Sequence, residues 1–199
     1  MTEKTLLLLL ALLFLGTFLA RNIQVQTKTK QKVKASDSLL TLSILATTSC
    51  IAATLFSTSS ENFYHFFGPI AFLHIPAVSS FGLLVFALSI VLGWIFSGQL
   101  GESWRVGVHE TQKTELIQSG IYQYIRNPYF LSHFIMYMGL FLIRPSLVLL
   151  VLVAATMVLF HRLVLREEAH LLSTHGKEYE AYKESTGRYL PRLLKARQE

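Results

Sequence analysis

Residues 115–128, ELIQSGIYQYIRNP, form a polar segment between long apolar stretches, and they decide how the rest of the chain is interpreted. A second polar group, Arg166, Glu167 and Glu168, lies at the end of the last apolar stretch. Ionisable residues at the ends of membrane-spanning segments are energetically costly, and they usually mark a functional site. The two clusters therefore predict a binding site on one side of a bilayer.

The composition is that of an integral membrane protein. The 199 residues are 52% hydrophobic and 15% charged, whereas charged residues make up about 25% of an ordinary soluble domain. The single cysteine, Cys50, lies in an apolar run, which excludes an intrachain disulfide and a cysteine-based metal site. No metal is expected.

The positive charge follows membrane topology. Of the 18 Lys and Arg residues, 16 fall within residues 21–34, 105–126 and 162–197. Basic residues gathered in loops on one side of the membrane are the positive-inside pattern. We therefore interpret the net charge of +6 as a topology signal and expect no binding to nucleic acid.

Five apolar stretches predict an all-α fold, a polytopic integral membrane helical bundle of about five transmembrane helices, since a span needs about 20 residues. The stretches are residues 6–20, 39–56, 70–96, 129–143 and 146–164. A cleaved signal peptide is the alternative for the first stretch, but no small-x-small cleavage site precedes the basic residues. We favour a retained anchor helix.

Two prolines predict local features of these spans. Pro76, near the start of the third stretch, predicts a bend. Arg144 and Pro145 separate the last two stretches, so these should form a tight antiparallel helical hairpin. The first arm of the hairpin is short, and we expect Arg144 to extend outward to the membrane surface.

The charge pattern also predicts sidedness. With the basic loops in the cytoplasm, the N-terminus lies outside and both polar clusters and the C-terminus lie inside. Residues 63–67, FYHFF, contain no Lys or Arg and match an aromatic belt at the outer interface.

Asn127 and Pro128 predict the start of a helix at the cytoplasmic surface. Asn is favoured as an N-cap and Pro at the first helical position. A helix N-terminus attracts carboxylates and phosphates, although this pair by itself is more often only a cap.

The second cluster ends the last span. Arg162, Arg166 and His170 follow at i, i+4 spacing on one helix face, while Glu167 falls on another. Two arginines one turn apart favour an anion between them, and a solvated helix end is the alternative. An amphipathic helix from about Lys177 should then lie on the surface.

The motifs together resemble the isoprenylcysteine carboxyl methyltransferase family, which is related to the membrane phospholipid methyltransferases. The resemblance covers about residues 100–191 and rests on LGESWRVGVHE, TELIQSGIYQYIRNPYF and HRLVLREEAHLLSTHGKEYEAYKESTGRYLP. It implies a methyltransferase that uses S-adenosyl-L-methionine and is built from transmembrane helices. The chain accordingly lacks the G-x-G-x-x-G motif of a Rossmann fold.

On this resemblance we expect one domain over residues 1–199. It comprises three N-terminal spans in residues 1–97, a cofactor-binding core with the hairpin in residues 98–191, and a basic tail in residues 192–199. The resemblance places the cofactor at Thr114, Glu115, Leu116, Ile117, Tyr122, Asn127, Pro128, Tyr129, Phe130 and Glu167. Asn127 stands where the family often has His, and Phe130 where it has Tyr.

The acceptor is less determined by the sequence than the cofactor. The arginine that contacts substrate in the family aligns with Leu163, and we assign its role to Arg162 or Arg166, which would hold the carboxylate of an isoprenylcysteine-like acceptor. A phospholipid amine is the alternative, and it would need Glu168, a histidine or water to take its proton. A non-enzymatic membrane scaffold is the alternative from another class. The expected partners are membrane lipids and a lipophilic substrate entering from the bilayer.

Overall fold

The computed structural model describes residues 2–29, 38–101 and 115–192, and the helices occupy most of these ranges. They are α1 (Glu3–Thr29), α2 (Ser38–Ser59), α3 (Glu61–Phe66), α4 (Pro76–Leu100), α5 (Pro128–Ile143), α6 (Leu147–His175) and α7 (Lys177–Ser185). Short 3-10 turns occur at Ala71–Leu73 and Gly120–Gln123. The described residues form no β-strand, which confirms the predicted all-α class.

The helix lengths fit a membrane bundle. Within the described ranges, α1, α2, α4 and α6 are each long and apolar enough to cross a bilayer. Helix α5 has 16 residues, about 24 Å at 1.5 Å per residue, and is shorter than a hydrocarbon core of about 30 Å. The predicted hairpin is present, because α5 ends at Ile143 and α6 begins at Leu147.

Pro76 starts a helix instead of bending one. It is the first residue of α4, where its missing N–H costs nothing because the first N–H groups of a helix have no intrahelical acceptor. The predicted bend is wrong for this reason, and the span is correspondingly shorter than the apolar stretch that contains it.

Helices α4 and α5 are in direct backbone contact through two glycines. A methyl group at Gly82 would lie 2.8 Å from the carbonyl oxygen of Gly139, and one at Gly139 would lie 2.8 Å from the backbone nitrogen of Phe86. Small residues that allow helices to approach closely are a common packing device in membranes. This contact fixes α5, which carries much of the site described below.

At the end of the bundle where α5 terminates, here called the far end, Arg144 joins three segments. Its Nε lies 3.1 Å from Glu3 Oε1, and its Nη1 lies 3.2 Å from Glu61 Oε1. The guanidinium also stacks 5.0 Å from the ring centroid of Tyr64. The expectation that Arg144 extends outward is wrong, because these partners keep its side chain only 12% exposed.

The core between the helices contains a few polar links. Thr47 of α2 and Tyr137 of α5 share a hydrogen bond of 2.7 Å, although both are buried. Leu7 of α1 and Phe86 of α4 are fully buried in the same core. These contacts hold α1, α2, α4 and α5 together. The opposite end of the bundle, where α5 begins, is here called the site end.

Candidate functional site

A cavity of about 500 Å³ opens at the site end and extends between the helices. Small-molecule sites usually have volumes of roughly 300–1,000 Å³. Its polar part is lined by Glu115, Leu116, Ile117, Tyr122, Arg126, Asn127, Tyr129, Phe130, His133, Glu167, His170 and Tyr182. Its apolar part is lined mainly by α1 and α2, through Leu8, Ala11, Leu12, Leu15, Leu40, Ile44, Ile51 and Leu55.

Most of the residues that the sequence predicted to bind the cofactor line this one cavity. They are Glu115, Leu116, Ile117, Tyr122, Asn127, Tyr129, Phe130 and Glu167. Pro128 is buried next to them as the first residue of α5 but does not line the cavity. Thr114 lies outside the described residues. The structure therefore brings the two polar clusters together, while the binding role of each residue stays a prediction.

Glu167 presents a carboxylate to the cavity. It lies on the same face of α6 as Leu163 and Leu171, one turn to either side, and both of these also line the cavity. Within the described residues, the Glu167 carboxylate has no hydrogen bond and no ion pair. A carboxylate that is removed from water without a partner is costly, so this position is suited to a ligand that carries donors or a positive charge.

The neighbouring Glu168 is, in contrast, saturated by protein donors. Its Oε1 accepts from Asn127 Nδ2 at 2.9 Å and from Arg126 Nε at 3.2 Å. Its Oε2 accepts from Arg188 Nη2 at 2.8 Å. Glu168 is not among the residues that line the cavity, and Asn127 and two arginines already donate to its carboxylate, so the geometry disfavours it as the group that takes a proton from an amine acceptor. That role stays a prediction.

The C-terminal strap, defined as α7 and residues 186–190, closes the site end. The backbone N–H of Arg126 donates to Gly187 O at 2.8 Å, and that of Asn127 donates to Arg188 O at 3.0 Å. The hydroxyl of Tyr182 donates to Tyr122 O at 2.6 Å. These bonds attach the strap to the polar segment that the sequence singled out.

The prediction of a surface-lying helix after Lys177 is only partly correct. Helix α7 does begin at Lys177, but Tyr179 and Tyr182 are buried and Tyr182 lines the cavity. Burial raises the pKa of Tyr179 from its ordinary value to about 12, so its hydroxyl stays protonated at neutral pH. The strap is thus part of the site.

The Asn127 side chain makes a different hydrogen bond from the one predicted. Helix α5 begins at Pro128 as predicted, but the Asn127 side chain makes no capping hydrogen bond. Its amide instead donates to Glu168. The prediction of a side-chain cap is wrong: Nδ2 donates to the charged acceptor Glu168 on α6, and Oδ1 accepts no hydrogen bond from the first-turn N–H groups of α5.

The two arginines assigned to the acceptor lie away from the cavity. Arg162 and Arg166 have exposed side chains and are not among the residues that line it. Leu163 and His170 do line it. Around the helix axis, His170 lies about 60° from Glu167 and about 40° from Arg166. It therefore lies between the face that lines the cavity and the exposed face. The roles of Arg162 and Arg166 stay predictions.

Sequence reasoning missed Arg126, Arg188 and Tyr182 as parts of the site. Arg126 stands directly before Asn127 in the polar segment, and this position is the only local signal for it. Arg188 reaches Glu168 from 20 residues away, and Tyr182 reaches Tyr122 from 60 residues away. Contacts between residues so far apart in the chain leave no repeating pattern in a single sequence from which they could be predicted.

A methyltransferase of this helical kind is what the comparison with known families supports. The model of the phospholipid methyltransferase family matches residues 78–178, about half of the chain. The chain belongs to this family, which includes the isoprenylcysteine methyltransferases that the sequence motifs resembled. The matched region contains nearly all of α4 and the whole of α5 and α6, and so most of the polar part of the cavity.

The chain is also similar to the nickel-cobalt-cadmium resistance protein NccN of Alcaligenes xylosoxydans xylosoxydans. The two are 33% identical over 88 residues, which are 44% of this chain and 41% of that protein. The chain thus matches less than half the length of this relative. Among the described residues, no group of three or more His, Cys, Asp or Glu side chains could hold a metal ion.

Proposed function

We propose that this protein transfers the methyl group of S-adenosyl-L-methionine to a lipophilic acceptor drawn from the bilayer. The observation that carries the proposal is the position of Glu167. Its carboxylate has no partner among the described residues and lies in a cavity that continues into an apolar groove between α1 and α2. One cavity thus has a polar part that fits a nucleoside next to an apolar part that fits a lipid.

The polar part has groups that fit the cofactor. Ribose hydroxyls or an ammonium group would donate to Glu167. Leu116 and Ile117 line the cavity without regular secondary structure, and their peptide groups bond to none of the described residues, so they are free to recognise the edge of a base. The first turn of α5 also begins here, and its N-terminal dipole favours a carboxylate.

The apolar part fits a long hydrocarbon chain. Its lining on α2 runs from Leu40 to Leu55, about 22 Å along the helix axis. Leu8, Leu12 and Ile44 line the same groove and are 42–56% exposed, so this side faces lipid in a membrane. The acceptor would enter laterally through this opening, with its reactive group toward Glu167.

The charges that line the polar part favour an amine as the acceptor group. Among the described residues, the arginine that lines the cavity is Arg126, and it is already bound to Glu168. A carboxylate acceptor, expected from the isoprenylcysteine resemblance, would need a free cation near Glu167. We therefore rank the isoprenylcysteine-like carboxylate second, behind a phospholipid-type amine.

His133 is placed to take the proton that an amine must lose. Its Nδ1 lies 3.1 Å from Tyr129 O, and because a carbonyl only accepts, Nδ1 carries the hydrogen and Nε2 the lone pair. The ring lines the cavity and stacks on Phe160 at 5.2 Å. In the transfer, nitrogen bonds to the methyl carbon, the sulfur–methyl bond breaks with its electrons staying on sulfur, and the amine proton passes to Nε2.

The protein itself contributes mainly alignment. Displacement at a sulfonium methyl needs the nucleophile in line at roughly 3 Å, and a pocket that excludes water supplies much of the rate. We place the site end and the C-terminus in the cytoplasm and the N-terminus outside, because the basic residues cluster at the site end.

Calorimetry with S-adenosylhomocysteine on the detergent-solubilised protein tests this function. We expect micromolar binding by the wild type and a loss of about 10- to 100-fold in Glu167→Ala, since a hydrogen bond to a charged group contributes about 1.5–3 kcal/mol. Glu180→Ala removes an exposed carboxylate of α7 and should bind normally. A wild-type protein that does not respond would be the scaffold of the alternative hypothesis.

A further inference from the structure

A second, smaller void lies behind the wall of the main cavity and contains a buried arginine. It has a volume of about 20 Å³ and is lined by residues of α1, α4 and α5. Phe14, Phe18, Tyr129 and His133 line both voids. The arginine is Arg21, at the point where the apolar stretch of α1 ends.

Arg21 is not a snorkelling side chain. It is only 8% exposed, whereas an arginine that reaches the membrane surface keeps its guanidinium in water. Its Nη1 donates to Gln24 Oε1 at 2.7 Å, its Nη2 donates to Trp94 O at 3.3 Å, and the guanidinium stacks 4.6 Å from the Trp94 ring centroid. Its Nε is buried and has no hydrogen-bond partner in the described part of the chain.

The charge of Arg21 is likewise uncompensated among the described residues, since none of their carboxylates forms an ion pair with it. Besides the Trp94 indole and the His133 imidazole, the polar groups that line the void are hydroxyls. Those of Thr17, Ser97 and Ser132 donate to carbonyls of their own helices, so they offer Arg21 no negative charge. A buried cation without an anion is costly unless a ligand supplies one.

We propose that Arg21 binds the oxyanion of a membrane lipid, with one oxygen in the small void and the hydrocarbon chain along the outside of α1 and α4. This lipid is separate from the acceptor of the proposed function, because Tyr129 and His133 lie between Arg21 and the main cavity, whose apolar part is the groove between α1 and α2. Trp94 is 43% exposed beside the guanidinium, which leaves an opening from the bilayer.

The volume sets the geometry of this contact. A space of about 20 Å³ accepts a single oxygen or one water molecule, so the rest of a phosphate or carboxylate would stay at the opening. An oxyanion that accepts from Nε and an adjacent Nη would complete the donor fork of the guanidinium, which is the arrangement that arginine favours. A phospholipid phosphate and a lipid carboxylate share this chemistry.

Thermal unfolding of the full chain in dodecyl maltoside tests the proposal with defined probes. Dodecyl phosphate and sodium dodecanoate represent the two lipid sources, inorganic phosphate represents a free anion, and dodecanol is the uncharged control. We expect one of the two lipid anions to raise the melting temperature of the wild type by several degrees, and dodecanol to have no effect. The stronger of the two identifies the source.

The variants show whether Arg21 is responsible. Arg21→Gln should abolish the shift, and Arg21→Lys, which keeps the charge without the fork, should weaken the apparent affinity by about tenfold. Lys28→Gln removes an exposed charge two turns further along α1 and should respond like the wild type. If Arg21→Gln does not fold, the Arg21→Lys comparison decides, since unchanged affinity in that variant contradicts the proposal.

Three further outcomes would overturn it. They are an equal shift in Arg21→Gln, a response to inorganic phosphate as large as that to the lipid anions, and no response of the wild type to any anion, as expected if the void holds only water. Binding of S-adenosylhomocysteine is measured in the same samples. Its absence in the wild type would refute the methyltransferase and leave the anion shift standing, so the two failures are distinguishable.

Discussion

Glu167 and Glu168 are adjacent in the sequence but have opposite surroundings. Glu168 accepts hydrogen bonds from Asn127, Arg126 and Arg188, while the Glu167 carboxylate lines the cavity with no hydrogen-bond partner among the described residues. Consecutive residues on a helix differ by about 100° in direction. One glutamate therefore serves the fold and the other is available to a ligand.

This difference predicts opposite phenotypes for the two residues. Glu168→Ala should lower the free energy of unfolding by about 3–5 kcal/mol, because it leaves Arg126 buried without its anion. Glu167→Gln should leave stability unchanged or raise it slightly, because it removes a charge without a protein partner. Thermal unfolding in detergent gives both values, with Glu180→Ala as the control. Equal losses in the two variants would contradict the division of roles.

Tyr182 should couple the strap to cofactor binding. Tyr182→Phe removes the bond of 2.6 Å to Tyr122 O and leaves that carbonyl without its donor, at a cost of about 0.5–1.5 kcal/mol in stability. Because Tyr122 and Tyr182 both line the cavity, affinity for S-adenosylhomocysteine should fall severalfold as well. A change in stability with unaltered affinity would show that the strap is only structural.

The contact between α4 and α5 should tolerate no side chain at Gly139. In Gly139→Ala the new methyl group would lie 2.8 Å from Phe86 N and 2.9 Å from Gly82 O, and separating the helices should cost about 1–3 kcal/mol. Gly16→Ala is the matched control, because no atom lies within 4 Å of the added group. Melting temperatures of the two variants check the prediction, and equal values would refute it.

The elements of this bundle were predictable because each depends on local composition. The apolar stretches and Pro128 placed the spans and the start of α5, and the hairpin followed from Arg144 and Pro145. The sequence could not show how each helix is rotated about its axis, or which side chains from distant parts of the chain contact it. Glu168 receives donors from 20 and 42 residues away, and Arg144 meets Glu3 from the other end of the chain.

Alkaline pH should release the strap before it unfolds the bundle. The pKa of Tyr179 is raised by burial from about 10 to about 12, so the unfolded state loses its proton first as pH rises. The stability that this residue contributes is complete below pH 10 and is lost between pH 10 and about 12. Limited proteolysis of α7 against pH measures the release, and Tyr179→Phe should flatten the profile over that range.

The groove between α1 and α2 should determine acceptor use without affecting the cofactor. Ile44 lines the apolar part of the cavity and is 42% exposed, so Ile44→Trp would fill the lateral opening. We expect KM for a long-chain acceptor to rise about tenfold, with unchanged affinity for S-adenosylhomocysteine. Ile95→Trp on α4 is the control, since Ile95 is similarly exposed but lines neither void. If both variants keep the wild-type KM, the lipid enters by another route.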